Sequence, residues 1–251
     1  MMNRSTILAS PKSDRGYPQV LRIANLAKSY RREKVIADIT FSVTAGEVLG
    51  LVGANGAGKT TLLETVAGLL PADSGAVFWR DEELPAARRK EALFYLPDGV
   101  RPWRDRFAIE VLSLFANIYG RSDSKVMATI TSVGLMPVLH KRVHALSKGY
   151  NRRLLLALGF LTPHDVLLMD EPFDGLDLRQ TRSIVEVVRT EAATGRALIL
   201  AIHQLADAER VCDRFLLLAG GQIRGIGTLD ELRVQAGSAG GSLEEIFLAL
   251  T

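Results

Sequence analysis

Lys59, Thr60, Asp170 and Glu171 are the side chains whose types and spacing could do chemistry together, and that chemistry is phosphoryl transfer to water. Residues 53–61 read GANGAGKTT, which fits the phosphate-cradling pattern GxxxxGK[ST]. Gly53, Gly56 and Gly58 let the backbone curl so that successive N–H groups face one anion at the positive end of a helix. The whole run, with Ala54, Asn55, Ala57 and Thr61, is therefore the expected binding loop for a nucleoside triphosphate. Lys59 can reach the β- and γ-phosphates, and the Thr60 hydroxyl can ligate Mg²⁺. The second part of the set is Val166-Leu167-Leu168-Met169-Asp170-Glu171, an apolar strand ending in two carboxylates. Asp170 suits the metal, held directly or through water, and Glu171 suits the attacking water.

These groups meet only if particular elements carry them. Glu47 to Val52 reads as a strand directly before the loop, and Leu62 to Ala67 as the helix after it. Further strands are read at Val20–Ile23, Val35–Val43, Gly75–Trp79, Leu93–Leu96, Val166–Met169, Ala197–Ile202 and Arg214–Leu218. Helices are read at Phe107–Ala116, from an Asp123 cap to Val133, from Tyr150 onward, and at Leu178–Ala193 and Gln204–Val211. Short continuous apolar strands alternating with helices predict an α/β fold around a largely parallel sheet covered on both faces. In such a sheet the carboxyl ends of the strands face the ligand crevice, which is where both acids emerge. Gly237 to Gly241 reads as a linker, and Ser242-Leu243-Glu244-Glu245 as the cap of a final amphipathic helix.

Composition narrows the partners. The 251 residues are 47% apolar, enough for a full core in one elaborated domain. With 31 basic and 28 acidic side chains the net charge of +3 gives no reason to expect nucleic acid. Cys212 is the one cysteine, so no disulfide or zinc site is available within a single chain. The most apolar stretch, Leu154 to Leu161, is far shorter than the ~20 residues a spanning helix needs. Residues 1–18 read as a flexible polar tail rather than a signal peptide.

Four further pieces lie in a fixed order: Tyr30, Leu146-Ser147-Lys148-Gly149-Tyr150, Phe173-Asp174-Gly175-Leu176-Asp177, and His203 at the end of an apolar strand. With the phosphate loop and the Asp170-Glu171 pair, the chain from about Leu21 to Leu250 resembles the ATPase subunits of ABC transporters. The resemblance implies a P-loop NTPase (RecA-like) core with a parallel sheet, an antiparallel β subdomain, and a helical subdomain inserted at about residues 99–162. The ATPase domain would span residues 19–236, followed by a linker and C-terminal helix over residues 237–251. In this resemblance Tyr30 stacks on adenine, Ser147 and Gly149 contact the γ-phosphate held by a second subunit, Asp177 communicates across that interface, and His203 senses the γ-phosphate. ATP and Mg²⁺ are the implied ligands. The implied partners are polytopic membrane subunits and a second ATPase subunit, either another copy or a paralogue. The implied location is cytoplasmic, peripheral on the cytosolic face of the membrane. His140, His144 and His164 match no motif and read as surface residues.

Two departures stand out. Family members usually carry Gln where this chain has Asp98, so Asp98 is expected to keep a contact to Mg²⁺ with altered geometry. The signature LSGGQ becomes Leu-Ser-Lys-Gly-Tyr, with Lys148 facing either the polyanion or solvent. Lys-Gly followed by an aromatic residue, together with Leu243 to Leu248, most resembles the ATPase subunits of exporters of drugs, lipids, polysaccharides or ions. Residues 98–108, basic and carrying Trp103, are expected to meet the membrane subunit, Trp103 serving either as an anchor there or as core of the insert. The alternative class is a soluble ABC-type ATPase acting in protein assembly, translation or DNA maintenance.

Overall fold

The computed structural model describes residues 18–251; the tail expected over residues 1–18 lies, apart from Pro18, outside the described residues. Two strands of the main sheet explain the architecture. In β3 (Val48–Val52) and β8 (Ala197–Ile202) every residue is buried, because both faces of the sheet are covered. Leu198, Leu200 and Ile202 point to one face and Ala197, Ile199 and Ala201 to the other, so one strand feeds two separate hydrophobic clusters. With β6 (Leu93–Leu96), β7 (Val166–Asp170), β9 (Arg214–Ala219) and β10 (Gln222–Gly227) they form a six-stranded sheet in the order β10-β9-β3-β8-β7-β6. All neighbours are parallel except the β9–β10 edge hairpin. That hairpin, unread in the sequence, turns through Gly220 and Gly221, both at positive φ, as a two-residue turn requires.

One face is covered by α1 (Lys59–Ala67) and by an antiparallel sheet, order β2-β1-β4-β5, from β1 (Gln19–Tyr30), β2 (Glu33–Thr44), β4 (Ser74–Trp79) and β5 (Glu82–Glu83). Leu21, Ile23, Ile39 and Phe41 of that sheet pack with Leu62, Leu63 and Val66 of α1. Buried Arg89 donates to the Thr65 carbonyl, placing a cation at the negative end of α1.

The other face receives the helices between β6 and β7: α2 (Ala108–Ile118), α3 (Asp123–Ser132) and α4 (Lys148–Leu161). With them pack α5 (Leu178–Ala193), α6 (Leu205–Val211), α7 (Leu229–Ala236) and α8 (Leu243–Leu250). The α/β expectation, with parallel and antiparallel sheets and inserted helices, is met.

Details differ. The cap of α3 is Ser122, whose Oγ accepts from Lys125 N, and Asp123 occupies the first turn, where its charge still complements the dipole. α4 begins at Lys148 rather than Tyr150, because Ser147 caps it. His164 is not a surface residue. It is buried, donates Nε2–H to the Lys90 carbonyl at 2.9 Å and stacks on Phe94, and burial holds its pKa below the usual histidine value. Among the described residues no helix is long and apolar enough to cross a membrane.

Candidate active site

The phosphate loop lies between β3 and α1, and its shape follows from its glycines. Gly58 takes φ +103°, and a Cβ there would meet the Val35 carbonyl at 2.8 Å. Gly53 sits so close to the Leu218 carbonyl that no side chain fits. Gly58 leaves α1 without a side-chain cap, so the first N–H groups of the helix keep no side-chain acceptor. An anion in front of them would satisfy those donors.

Lys59 is buried, and its Nζ donates to the carbonyls of Gly53 at 2.7 Å and Ala54 at 3.3 Å. Burial pulls its pKa below the ordinary lysine value, while the charges of Glu171 and Asp170 act the other way. Its partners are weak, neutral acceptors that a phosphate oxygen can replace. Thr60 Oγ1 donates to Asp170 Oδ2 at 2.7 Å. Burial pushes the Asp170 carboxyl above the usual range. The Thr60 hydrogen bond opposes this, the nearby Asp98 charge reinforces it, and Lys59 and Arg152 counter it.

Sheet register brings the remaining acids together. β7 and β8 are paired with Asp170 opposite Ala201, and Glu171 N donates to the Ala201 carbonyl at 3.0 Å. Glu171 then turns into the left-handed region at φ +50°, and its Oε2 lies 2.5 Å from His203 Nδ1. Thr61, Asn55, Gly56, Lys59, Thr60, Asp98, Asp170 and Glu171 line one open cavity of about 350 Å³, joined by Val35, which the sequence did not flag. A hydroxyl, carboxylates and room for an anion suit a hard cation such as Mg²⁺. Among the described residues no three His, Cys, Asp or Glu side chains converge as a self-contained metal site. A cation here would draw on Thr60, Asp170 and phosphate oxygens.

The other expected residues stand apart from this cavity. Tyr30, 46% exposed, ends β1, with Lys28 Nζ 5.7 Å from its ring centre. Ser147 Oγ accepts from Tyr150 N, and buried Gly149 packs so closely on Gly175 and Gln180 that a Cβ would lie 3.0 Å from both. Asp177 caps α5 in a reciprocal pair with Gln180. Gly149 and Asp177 thus share the Gln180 side chain, with Ser147 and Asp177 exposed beside the buried Gly149. Lys148 faces neither solvent alone nor the cavity: its Nζ is 2.6 Å from Asp174, whose carboxyl it holds below the usual range.

Asp98 does not stand free for a metal. Its carboxylate pairs with the guanidinium of Arg152, which also donates to the Asp170 carbonyl at 3.3 Å. Arg152 was not anticipated. The available signal was a charged residue one turn beyond Lys148, in a helix otherwise turning apolar.

The ABC transporter family model matches residues 36–174, from β2 through the Asp170-Glu171 pair. The chain belongs to the ABC transporter family. It is 31% identical over 220 residues to the uncharacterized ABC transporter ATP-binding protein YthP of Bacillus subtilis (strain 168), covering 86% of this chain and 89% of that one. It is also 31% identical over 223 residues to the Nod factor export ATP-binding protein I of Rhizobium etli, covering 85% and 70%. Among solved structures, an ATP-binding subunit of an ABC transporter superposes with a TM-score of 0.83 at 32% identity, over 92% of this chain and 99% of that one. The fold is thus the P-loop NTPase core of the ABC ATPases, and the resemblance carried by the motifs is borne out.

Proposed function

We propose that this chain is the ATP-binding and ATP-hydrolysing subunit that energises an ABC transporter, working as an exporter through separate membrane subunits. The observation that supports it best is the meeting of the phosphate loop, the Thr60–Asp170 hydrogen bond and the Glu171–His203 contact around one cavity. The loop amides and Lys59 bind the β- and γ-phosphates. Glu171 orients the attacking water and takes its proton, and His203 fixes the Glu171 carboxylate and faces the terminal phosphate. Mg²⁺, held by Thr60 and Asp170, supplies charge neutralisation of the phosphate oxygens when bound.

Ser147, Gly149 and Asp177 form the corner that completes the site of a second subunit, copy or paralogue, and Tyr30 supplies the adenine platform. The ATPase domain is taken as residues 19–236 with the insert over residues 99–162, the closing segment 237–251 packing α8 against the core. The membrane subunits dock where β6 leads into the insert. Trp103 there is 48% exposed while its ring centre lies 6.0 Å from that of Phe115, the two rings nearly perpendicular, with Val100 and Phe107 also exposed. A basic segment with exposed aromatic and apolar groups suits an interface anchor. The protein then lies on the cytosolic face of the membrane, and export agrees with what the Rhizobium etli relative is named for.

Tagged chain carrying Glu171→Gln, recovered with ATP from its native host, tests this reading. Recovery in the membrane fraction with a polytopic protein supports the transporter subunit. Recovery only as a soluble dimer, or with ribosomes, nucleic acid or assembly factors, removes the transport role and leaves a soluble ATPase.

A further inference from the structure

The nucleotide cavity carries one carboxylate more than its chemistry needs. Asp98 stands where the family pattern has a neutral Gln, beside Asp170 and Glu171, in a cavity that must receive a polyphosphate. A third negative charge would repel both the phosphates and Asp170. The structure holds an answer in helix α4. Arg152 is only 5% exposed, and a buried guanidinium needs partners. Its partners are the Asp98 carboxylate and the backbone carbonyl of Asp170. The Asp98 side chain remains 47% exposed on the cavity side. One turn earlier on the same helix, Lys148 holds Asp174 on the loop that follows Glu171. Two cations of one helical face thus grip the two loops that flank the cavity.

We infer that Arg152 is a positioning residue for the nucleotide site, the counter-ion through which α4 sets where the Asp98 carboxylate stands and keeps the Asp98–Arg152 unit as neutral as the Gln it replaces. The inference rests on the cavity being the nucleotide site proposed above. Three consequences follow from it. Arg152 matters to nucleotide binding because Asp98 is an acid. Removing Arg152 alone exposes a negative charge to the phosphates, and removing both charges together restores balance. A rigid displacement of α4 carries Asp98 with it, so the helix that begins at the signature also adjusts the position of a cavity-lining carboxylate in its own chain.

The test is a double-mutant cycle in the full chain, in a Glu171→Gln background that blocks turnover. The four proteins are the parent, Arg152→Gln, Asp98→Gln and Asp98→Gln/Arg152→Gln. A fluorescent ATP analogue is titrated with and without MgCl₂, and thermal unfolding is followed without nucleotide. Arg152→Gln is expected to weaken Mg²⁺-free binding on the order of tenfold, the effect of one unit charge a few ångströms away at a dielectric close to that of water, as suits an open cavity. Its binding then depends more steeply on Mg²⁺, and the double variant regains the parent affinity and stability. Parent-like binding by Arg152→Gln, or a double variant showing the sum of both losses, overturns the inference. Should Arg152→Gln fail to fold, Arg152→Lys replaces it. A lysine keeps the charge but not the two-pronged contact, so Mg²⁺-free affinity is retained if charge compensation is the role and lost if it is not. Lys59→Ala separates the two levels: unchanged binding in that variant removes the nucleotide-site reading itself, whereas lost binding with an additive cycle removes only the role of Arg152.

Discussion

His203 Nδ1 lies 2.5 Å from Glu171 Oε2, and neither residue is part of a strand. Each follows directly on the end of its own strand, β7 or β8, and the pairing of Asp170 with Ala201 brings them side by side. Glu171 has also left the extended backbone, at φ +50°. A non-glycine residue in that region persists only where its surroundings fix it, here through the Ala201 carbonyl and the His203 ring.

Because the two side chains act as a unit, their substitutions are not additive. Glu171→Gln is expected to keep ATP binding, lower hydrolysis by on the order of 10²–10⁴-fold, and trap a dimer with ATP. His203→Ala lowers hydrolysis in the same direction, and adding it to Glu171→Gln changes little further. Phosphate release under single-turnover conditions, with size-exclusion chromatography in ATP, measures both. Full-speed hydrolysis by Glu171→Gln would move the base elsewhere.

Asp170→Asn separates the cost of the site from its use. Burial raises the Asp170 pKa in the folded chain, so the folded state holds its proton more tightly than the unfolded one. That penalty is absent below the unfolded value near 3.8, and it grows as pH rises through the folded value, remaining in full above it. The nucleotide-free Asn variant should therefore be more stable than the parent at neutral pH, with the difference shrinking on acidification, while Mg²⁺-dependent hydrolysis is lost. Urea unfolding at several pH values reads the first effect. A variant less stable at neutral pH would mean that the Thr60 hydrogen bond outweighs the burial of the charge.

Much of this site was legible because phosphate binding leaves its mark in contiguous residues. The loop at 53–61 and the Asp170-Glu171 pair are local, and the strand patterns before them place both at carboxyl ends. Leu178–Ala193 and the box at Ser242 and Glu245 were also readable, since helix periodicity and caps are local signals. Less visible were features decided by tertiary partners. Arg152 and Asp98 are far apart in sequence and meet only after α4 packs beside β6. His164 is polar yet buried, because a backbone carbonyl and an aromatic ring accept it. The β9–β10 hairpin had a readable signal, Gly220-Gly221 between apolar runs, and α7 had its own capping box at Thr228 and Glu231.

Gly58 and Gly56 invite a paired comparison, since both take positive φ but in different surroundings. A Cβ at Gly58 meets the Val35 carbonyl at 2.8 Å and Ile36 Cγ2 at 3.0 Å, whereas nothing lies within 4 Å of one at Gly56. Gly56→Ala should cost about 1–2 kcal/mol of stability, the penalty for an L-residue in the left-handed region. Gly58→Ala adds overpacking of roughly 1–3 kcal/mol and pushes the loop away from β2. Chemical unfolding gives both costs, and equal losses would show that β2 yields without resistance.

Arg196 is the residue on which the junction of insert and core depends. Just before β8, it donates to the carbonyls of Gly159, Phe160 and His164, to Thr162 Oγ1 and to the Glu191 carboxylate. The first three of these acceptors lie at the end of α4 and on the approach to β7, so a single guanidinium ties the outgoing insert to the sheet. Burial lowers its pKa, with Glu191 opposing, yet no other type of side chain offers five donors in one plane. Arg196→Met removes the cation and leaves Glu191 with Lys125 alone, at 3.2 Å. The expected loss is about 3–5 kcal/mol, the cost of breaking a buried pair by removing one partner. Arg196→Lys should recover only part of it, because an ammonium cannot span the same acceptors. Hydrogen exchange would show faster opening at residues 159–166 in both variants, and more in the Met one. If global stability fell while exchange there stayed at the parent rate, the contribution of Arg196 would lie in its pair with Glu191 and not in the junction.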